Sequence, residues 1–136
     1  PSDQLIDAGK QAGAVVTGYV EDMRPYLEQA TVFAAPLRFG SGIQNKILEA
    51  LAMELPVVTT QVAAQGIAVG HGHEPPIAVA ESAEGFADAL IQELINRASD
   101  PAPHSAGRQF VAHNFVWETS AKRLAAAIEQ IRATAS

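Results

Sequence analysis

Short continuous apolar runs alternate with helically spaced ones along this chain. Residues 14–17, 31–35 and 57–60 are runs of Ala, Val, Phe and Thr, and each reads as a buried strand. Gly18 stops the first, Pro36 closes the second and Pro56 opens the third. Ile77-Ala78-Val79 reads as a shorter strand. Ser2 or Asp3 can cap a first helix over 4–11, with Leu5, Ile6 and Ala8 inward. Gly9 and Gly13 leave its end open. Asp22 caps a helix over 23–30 that carries Pro25 in its first turn, where proline is tolerated. The helix over 43–54 repeats apolar residues at 43, 47, 48, 51, 52 and 55. Residues 61–66 form a short turn or helix ended by Gly66. Glu81 or Ser82 opens a helix over 83–97, with Phe86, Leu90, Ile91, Leu94 and Ile95 on one face. Pro101-Ala102-Pro103 breaks it, and helices over 105–113 and 117–133 follow. The alternation predicts an α/β fold around a parallel sheet with helices on both faces. Neither an internal repeat nor a low-complexity segment is visible.

The stretch from Arg38 to Ala50 carries the chemistry. It is a glycine-bearing loop that leaves one strand, enters a helix and leads to the next strand. That order places a helix N-terminus at the carboxyl edge of a parallel sheet, where free N–H groups and the helix dipole favour phosphate. Gly40 and Gly42 allow close backbone approach, and the amides of Ile43 and Gln44 are the candidate diphosphate donors. Glu49, further into the helix, cannot help bind phosphate but can accept hydrogen bonds from sugar hydroxyls. Phosphate and sugar together suggest a nucleotide or a sugar nucleotide.

Composition narrows the alternatives. Nine basic and 15 acidic side chains give a net charge of −6, which argues against non-specific nucleic-acid binding. A chain without cysteine has neither a disulfide framework nor a thiolate metal site. No apolar run approaches the roughly 20 residues of a membrane span, and no signal peptide is visible. Cytoplasm is the expected compartment, or the inner membrane face for a peripherally held full-length protein. The start, Pro1-Ser2-Asp3, lacks an initiator Met and reads as a piece of a longer chain.

With these elements placed, the chain resembles the C-terminal, nucleotide-sugar-binding domain of a retaining GT-B glycosyltransferase of family 4. Val16-Thr17-Gly18-Tyr19-Val20-Glu21-Asp22-Met23-Arg24-Pro25-Tyr26-Leu27 is similar to "TGxVxDxxxYL". Val32-Phe33-Ala34-Ala35-Pro36-Leu37 is similar to the strand that ends at the donor site. The segment from Gly40-Ser41-Gly42 through Lys46, Leu48-Glu49-Ala50 and Pro56-Val57-Val58 resembles "GxGxxxKxLEAMAxGxPVVxT", the specific signature of the set. Phe115-Val116-Trp117 resembles the "FSW" that opens a terminal helix. The run "RxGSGIQNKxLEA" looks like that of bacterial exopolysaccharide sugar transferases.

The resemblance implies a partial donor-binding domain over 1–136, with its terminal helix at about 117–133. It implies a UDP- or GDP-sugar as donor substrate, a glycan or lipid-linked hydroxyl acceptor, no metal and no cofactor. Of the family's paired glutamates the second matches Glu49, whereas the first falls on Ser41, which offers a hydroxyl but no charge. The N-terminal acceptor domain, the first two strands and an Arg/Lys pair for the diphosphate are absent from the chain as given. The implied strand order, 3-2-1-4-5-6, makes residues 15–17 strand 3 and residues 31–35 strand 4, normally separated by the missing pair. Either self-association or direct pairing of these two strands is then expected.

Each candidate has a plainer reading. Glu49 can be a surface carboxylate paired with Lys46 instead of a ribose acceptor. Lys46 can neutralise phosphate, pair with Glu49 or extend to solvent. Arg38 can reach phosphate or remain a solvated loop arginine. Gly18 can lie beside the base, with Tyr19 or Val20 packing on it. His71, His73 and Glu74 have alternating ligand spacing, but a Pro/Gly-rich exposed loop over 70–76 is preferred to a zinc site. His104 and His113 read as surface groups. Trp117 reads as a core anchor with Leu124, Ala127, Ile128 and Ile131. The functional expectation is the donor-binding part of a glycosyltransferase, inactive in isolation. Its rivals are a non-catalytic nucleotide- or partner-binding α/β module and an epimerase of the same fold.

Overall fold

The computed structural model describes residues 2–40, 42–68 and 74–134. Its elements are α1 (Asp3–Gln11), α2 (Arg24–Gln29), β1 (Phe33–Ala35), α3 (Asn45–Ala52), β2 (Val57–Thr59), α4 (Gln61–Ala68), β3 (Ala78–Val79), α5 (Ala83–Ser99), α6 (Ser105–Asn114) and α7 (Trp117–Thr134). The strands form a parallel sheet in the order β1-β2-β3. Phe33 is opposite Val57, Ala35 opposite Thr59, and Thr59 opposite Val79. The chain is thus α/β, as the alternation predicts, and consistent with part of a Rossmann-like domain. Helices α3 and α4 are the crossovers that parallel pairing requires. Every residue of β2 is buried, the signature of a central parallel strand covered on both faces.

The core joins Leu27, Ala35, Ile47, Ala50, Leu51, Leu55, Val57, Ala63, Ile67 and Phe110. Helix α3 turns Ile47, Ala50 and Leu51 inward. Its end is made by Glu54, whose φ of 61° is left-handed, and the Leu55 amide closes onto Ala50 O at 3.0 Å. Helix α6 lies so close to α3 that a Cβ on Gly107 would sit 3.0 Å from Leu51 O. Phe110 and Phe115 pack as tilted rings 5.7 Å apart. Ser2 and Ser82 cap α1 and α5 through their hydroxyls, as their sequence positions suggest.

Several expected features take a different form. Residues 14–17 are not a strand. Val15 is 86% exposed, and the Ala14 amide instead donates to Gly9 O at 2.8 Å, folding the segment back on α1. A strand is stable only beside a neighbour, and the segment does not pair with β1. The expected direct pairing of the two segments is therefore not formed. Trp117 is not a core anchor: it is 92% exposed, and α7 buries none of its residues. Leu124, Ile128 and Ile131 stay exposed with it. The stripe exists, but no element packs over it among the described residues. Helix α5 likewise buries nothing fully, although Phe86 and Leu90 are half-buried. Gly66 does not end α4, which continues to Ala68. Among the described residues, no helix is long and apolar enough to cross a membrane.

Candidate functional site

Strand β1 delivers the chain to the carboxyl edge of the sheet, and Pro36 turns it out. Two threonines at the end of β2 hold this exit. The buried Thr59 hydroxyl donates to Ala35 O at 3.1 Å, and the Thr60 hydroxyl donates to Leu37 O at 2.6 Å. The glycine loop begins there. Arg38, Phe39 and Gly40 are exposed, Ser41 lies outside the described residues, and Gly42 adopts a φ of 80° that favours glycine. Helix α3 starts at Asn45 instead of Ile43, so Ile43 and Gln44 are the last loop residues. Gln44 supplies no side-chain cap, and its carbonyl accepts the amides of Ile47 at 2.9 Å and Leu48 at 3.3 Å.

Burial of Ile47, Ala50 and Leu51 fixes the rotation of α3, so Asn45, Lys46 and Glu49 share the exposed face. Lys46 and Glu49 do not form the ion pair of the plainer reading: among the described residues neither has a salt-bridge partner within 4.0 Å. A cleft of about 570 Å³ lies between the N-terminal turn of α3, residues 33–37 and Met23. Five consecutive strand and exit residues line it. Since side chains alternate between sheet faces, this cleft follows the edge of β1.

The structure brings some candidates together and separates others. Gln44 and Lys46 line the cleft along β1. Arg38 lines a different hollow, of about 260 Å³, with Thr60, Glu81 and Ser82 at the start of α5. Gly18 has a φ of 71°, Tyr19 is 93% exposed and Val20 is half-buried. None of these three lines the cleft, whereas Met23, just beyond them, does. Between them Asp22 accepts the Arg24 amide at 2.9 Å and the Arg24 guanidinium at 2.8 Å. Asp22 is nevertheless not the cap expected of it: the N-cap of α2 is Met23, which makes no side-chain cap, and Asp22, one residue earlier, binds only the first helical amide. The Arg24 guanidinium, its amide and its charge hold the Asp22 carboxyl below the ordinary value of 3.8.

Sequence reasoning did not single out Met23, Asn45 or the paired threonines. The signal available was Thr59-Thr60 itself, two hydroxyls where a strand ends at the carboxyl edge. His71 and His73 lie outside the described residues. Among the described residues no group of three His, Asp or Glu side chains is arranged to hold a metal ion.

The chain was compared with known proteins. No curated protein and no solved structure matches it significantly. The family profile described as "Glycosyl transferases group 1" matches residues 2–96. That span contains the whole sheet, the glycine loop and α3, but stops before α6 and the Phe115-Val116-Trp117 segment. Covering more than half of the chain, the match establishes that it belongs to the group 1 glycosyltransferases.

Proposed function

We propose that the chain is the donor-binding part of a retaining glycosyltransferase, which moves a sugar from a UDP- or GDP-sugar to a glycan or lipid-linked hydroxyl. One observation carries the reading. The glycine loop ends at an uncapped helix N-terminus at the carboxyl edge of a parallel sheet, with Glu49 exposed one turn further along α3. Amides at Ile43, Gln44 and the first turn of α3 take the diphosphate. Lys46 and Arg38 add positive charge, and Gly40 and Gly42 let the phosphates approach the backbone. At the sequence position of the family's first glutamate, Ser41 has a hydroxyl to offer the donor sugar in place of a carboxylate. Glu49 accepts the ribose hydroxyls through charge-assisted bonds. Gly18, Tyr19 and Val20 flank the base.

The chemistry of such a site is electrostatic. As the glycosidic bond breaks, the amides and cations stabilise the charge that develops on the leaving diphosphate. The acceptor belongs on a separate domain facing the loop across a cleft, in the cytoplasm or at the inner membrane face. Exopolysaccharide assembly is the pathway that the loop sequence suggests. The chain by itself holds only one reactant in place, so it is expected to transfer no sugar. Robust transfer by the purified chain to any hydroxyl acceptor would refute this division of labour.

The test is a calorimetric titration of the chain with UDP and GDP, repeated with Glu49→Ala. Loss of a charged acceptor is expected to cost about 1.5–3 kcal/mol, roughly ten- to a hundredfold in affinity. Unchanged affinity removes the ribose role. A second reading, a non-catalytic nucleotide-binding module, is favoured by Ser41 standing where a carboxylate would contact the sugar. It predicts equal affinity for a nucleoside diphosphate and for its sugar conjugate.

A further inference from the structure

Helix α4 brackets the glycine loop at both ends. Thr60, the residue before α4, donates its hydroxyl to Leu37 O at 2.6 Å, where the loop begins. Near the other end of α4, Gly66 lies directly against Gly42, two residues before the loop finishes at Gln44. A Cβ at Gly66 would overlap the Gly42 carbonyl oxygen, and would lie 3.1 Å from its carbonyl carbon and 3.7 Å from Ile43 Cα. Every one of these contacts is to backbone, which cannot rotate aside as a side chain can. Nor is α4 free to withdraw, because Ala63, Ala64 and Ile67 anchor it in the core. Glycine is a poor residue inside a helix, and this one lies where α4 meets the loop.

We infer that α4 is the frame that sets the geometry of the phosphate-binding loop, with Thr60 and Gly66 as positioning residues. This inference rests on the donor-site reading above. Neither residue needs to touch the nucleotide. Thr60 fixes where the loop leaves the sheet. Gly66 fixes the Gly42 carbonyl, and through it the direction of the Ile43 and Gln44 amides. Preorganised amides bind an anion without reorganising, so a small displacement of the loop is read as lost affinity.

The experiment uses the isotopically labelled chain with Gly66→Ala, Thr60→Val and Thr60→Ser. Amide resonances of residues 40–46 are compared with those of β2, and UDP and GDP are titrated into each variant. Gly66→Ala is expected to shift the amides of Gly42, Ile43 and Gln44, leave β2 in place and weaken the nucleotide by about tenfold or more. Thr60→Ser keeps the hydroxyl and behaves as the parent, whereas Thr60→Val weakens binding. Parent-like loop resonances in both Gly66→Ala and Thr60→Val would overturn the inference. If Gly66→Ala does not fold, the contrast between Val and Ser at position 60 decides it. Should the parent chain bind neither nucleotide, the donor-site reading fails, whereas binding independent of Glu49 removes only the ribose role. The ligand-free loop resonances then decide the framing role separately.

Discussion

Glu54 occupies a conformation that its side chain disfavours. Its φ is 61°, and among the described residues it is the only non-glycine with a positive value. A left-handed L-residue carries a penalty of about 1–2 kcal/mol. Its charge recovers little, since the contact to Arg108 is 3.9 Å long and the Arg108 side chain is 68% exposed. Its carbonyl, which accepts the His104 amide at 3.2 Å, survives substitution. Glu54→Gly is therefore expected to stabilise the chain by about 0.5–1 kcal/mol after the extra entropy of glycine in the unfolded state. A denaturant midpoint checks this, and a lower midpoint would contradict it. Asp22 gives a pH-dependent counterpart. Its folded carboxyl titrates below the ordinary 3.8, first because Arg24 hydrogen-bonds it. A depressed carboxylate contributes stability above its unfolded value and loses it as pH falls through the folded one, so the window lies below 3.8. Arg24→Gln is expected to return the Asp22 titration, followed by carboxyl-carbon NMR, towards the ordinary value.

At the scale of elements, α3 and α6 meet in a close seam. A methyl group at Gly107 would meet Leu51 Cδ2 at 2.9 Å and Leu51 O at 3.0 Å. Gly107→Ala must push α6 away and is expected to destabilise by about 1–3 kcal/mol, readable in thermal unfolding. An unchanged melting temperature would mean that the seam gives way easily. This contact also marks what the sequence could and could not convey. The helical repeat at Ile47, Leu48 and Leu51 predicted α3, because that period belongs to the helix itself. The capping serines gave the starts of α1 and α5 for the same local reason. Residues 14–17 carry an equally good strand pattern, yet a strand depends on a neighbour that no local pattern supplies. Trp117, Leu124 and Ile131 show the same limit. Their spacing revealed an apolar stripe, but nothing in it said whether that stripe would be covered. In the candidate site, Gly42 and Glu49 were legible as residue types in order. The Thr60 and Gly66 contacts were not, because they join positions far apart in the chain.

For the whole molecule, the exposed stripe on α7 and the outer edge of β1 are surfaces that soluble chains usually cover or protect. The 14.3 kDa chain is expected to self-associate through them as its concentration rises, despite its net charge of −6. Light scattering after size exclusion measures this, and a monomer at all concentrations would contradict it. Burial is also distributed unevenly. Helices α1 and α7 bury no residue, whereas β2 buries all of its residues and α4 buries Ala63, Ala64 and Ile67. Local opening follows burial, so amide hydrogen exchange should run from both ends of the chain inward. The outer helices should exchange first, at small opening free energies, while β2 and α4 exchange last, in the global unfolding event. The two elements that hold the loop would then be the slowest to open, and fraying at either terminus would leave the loop's shape intact.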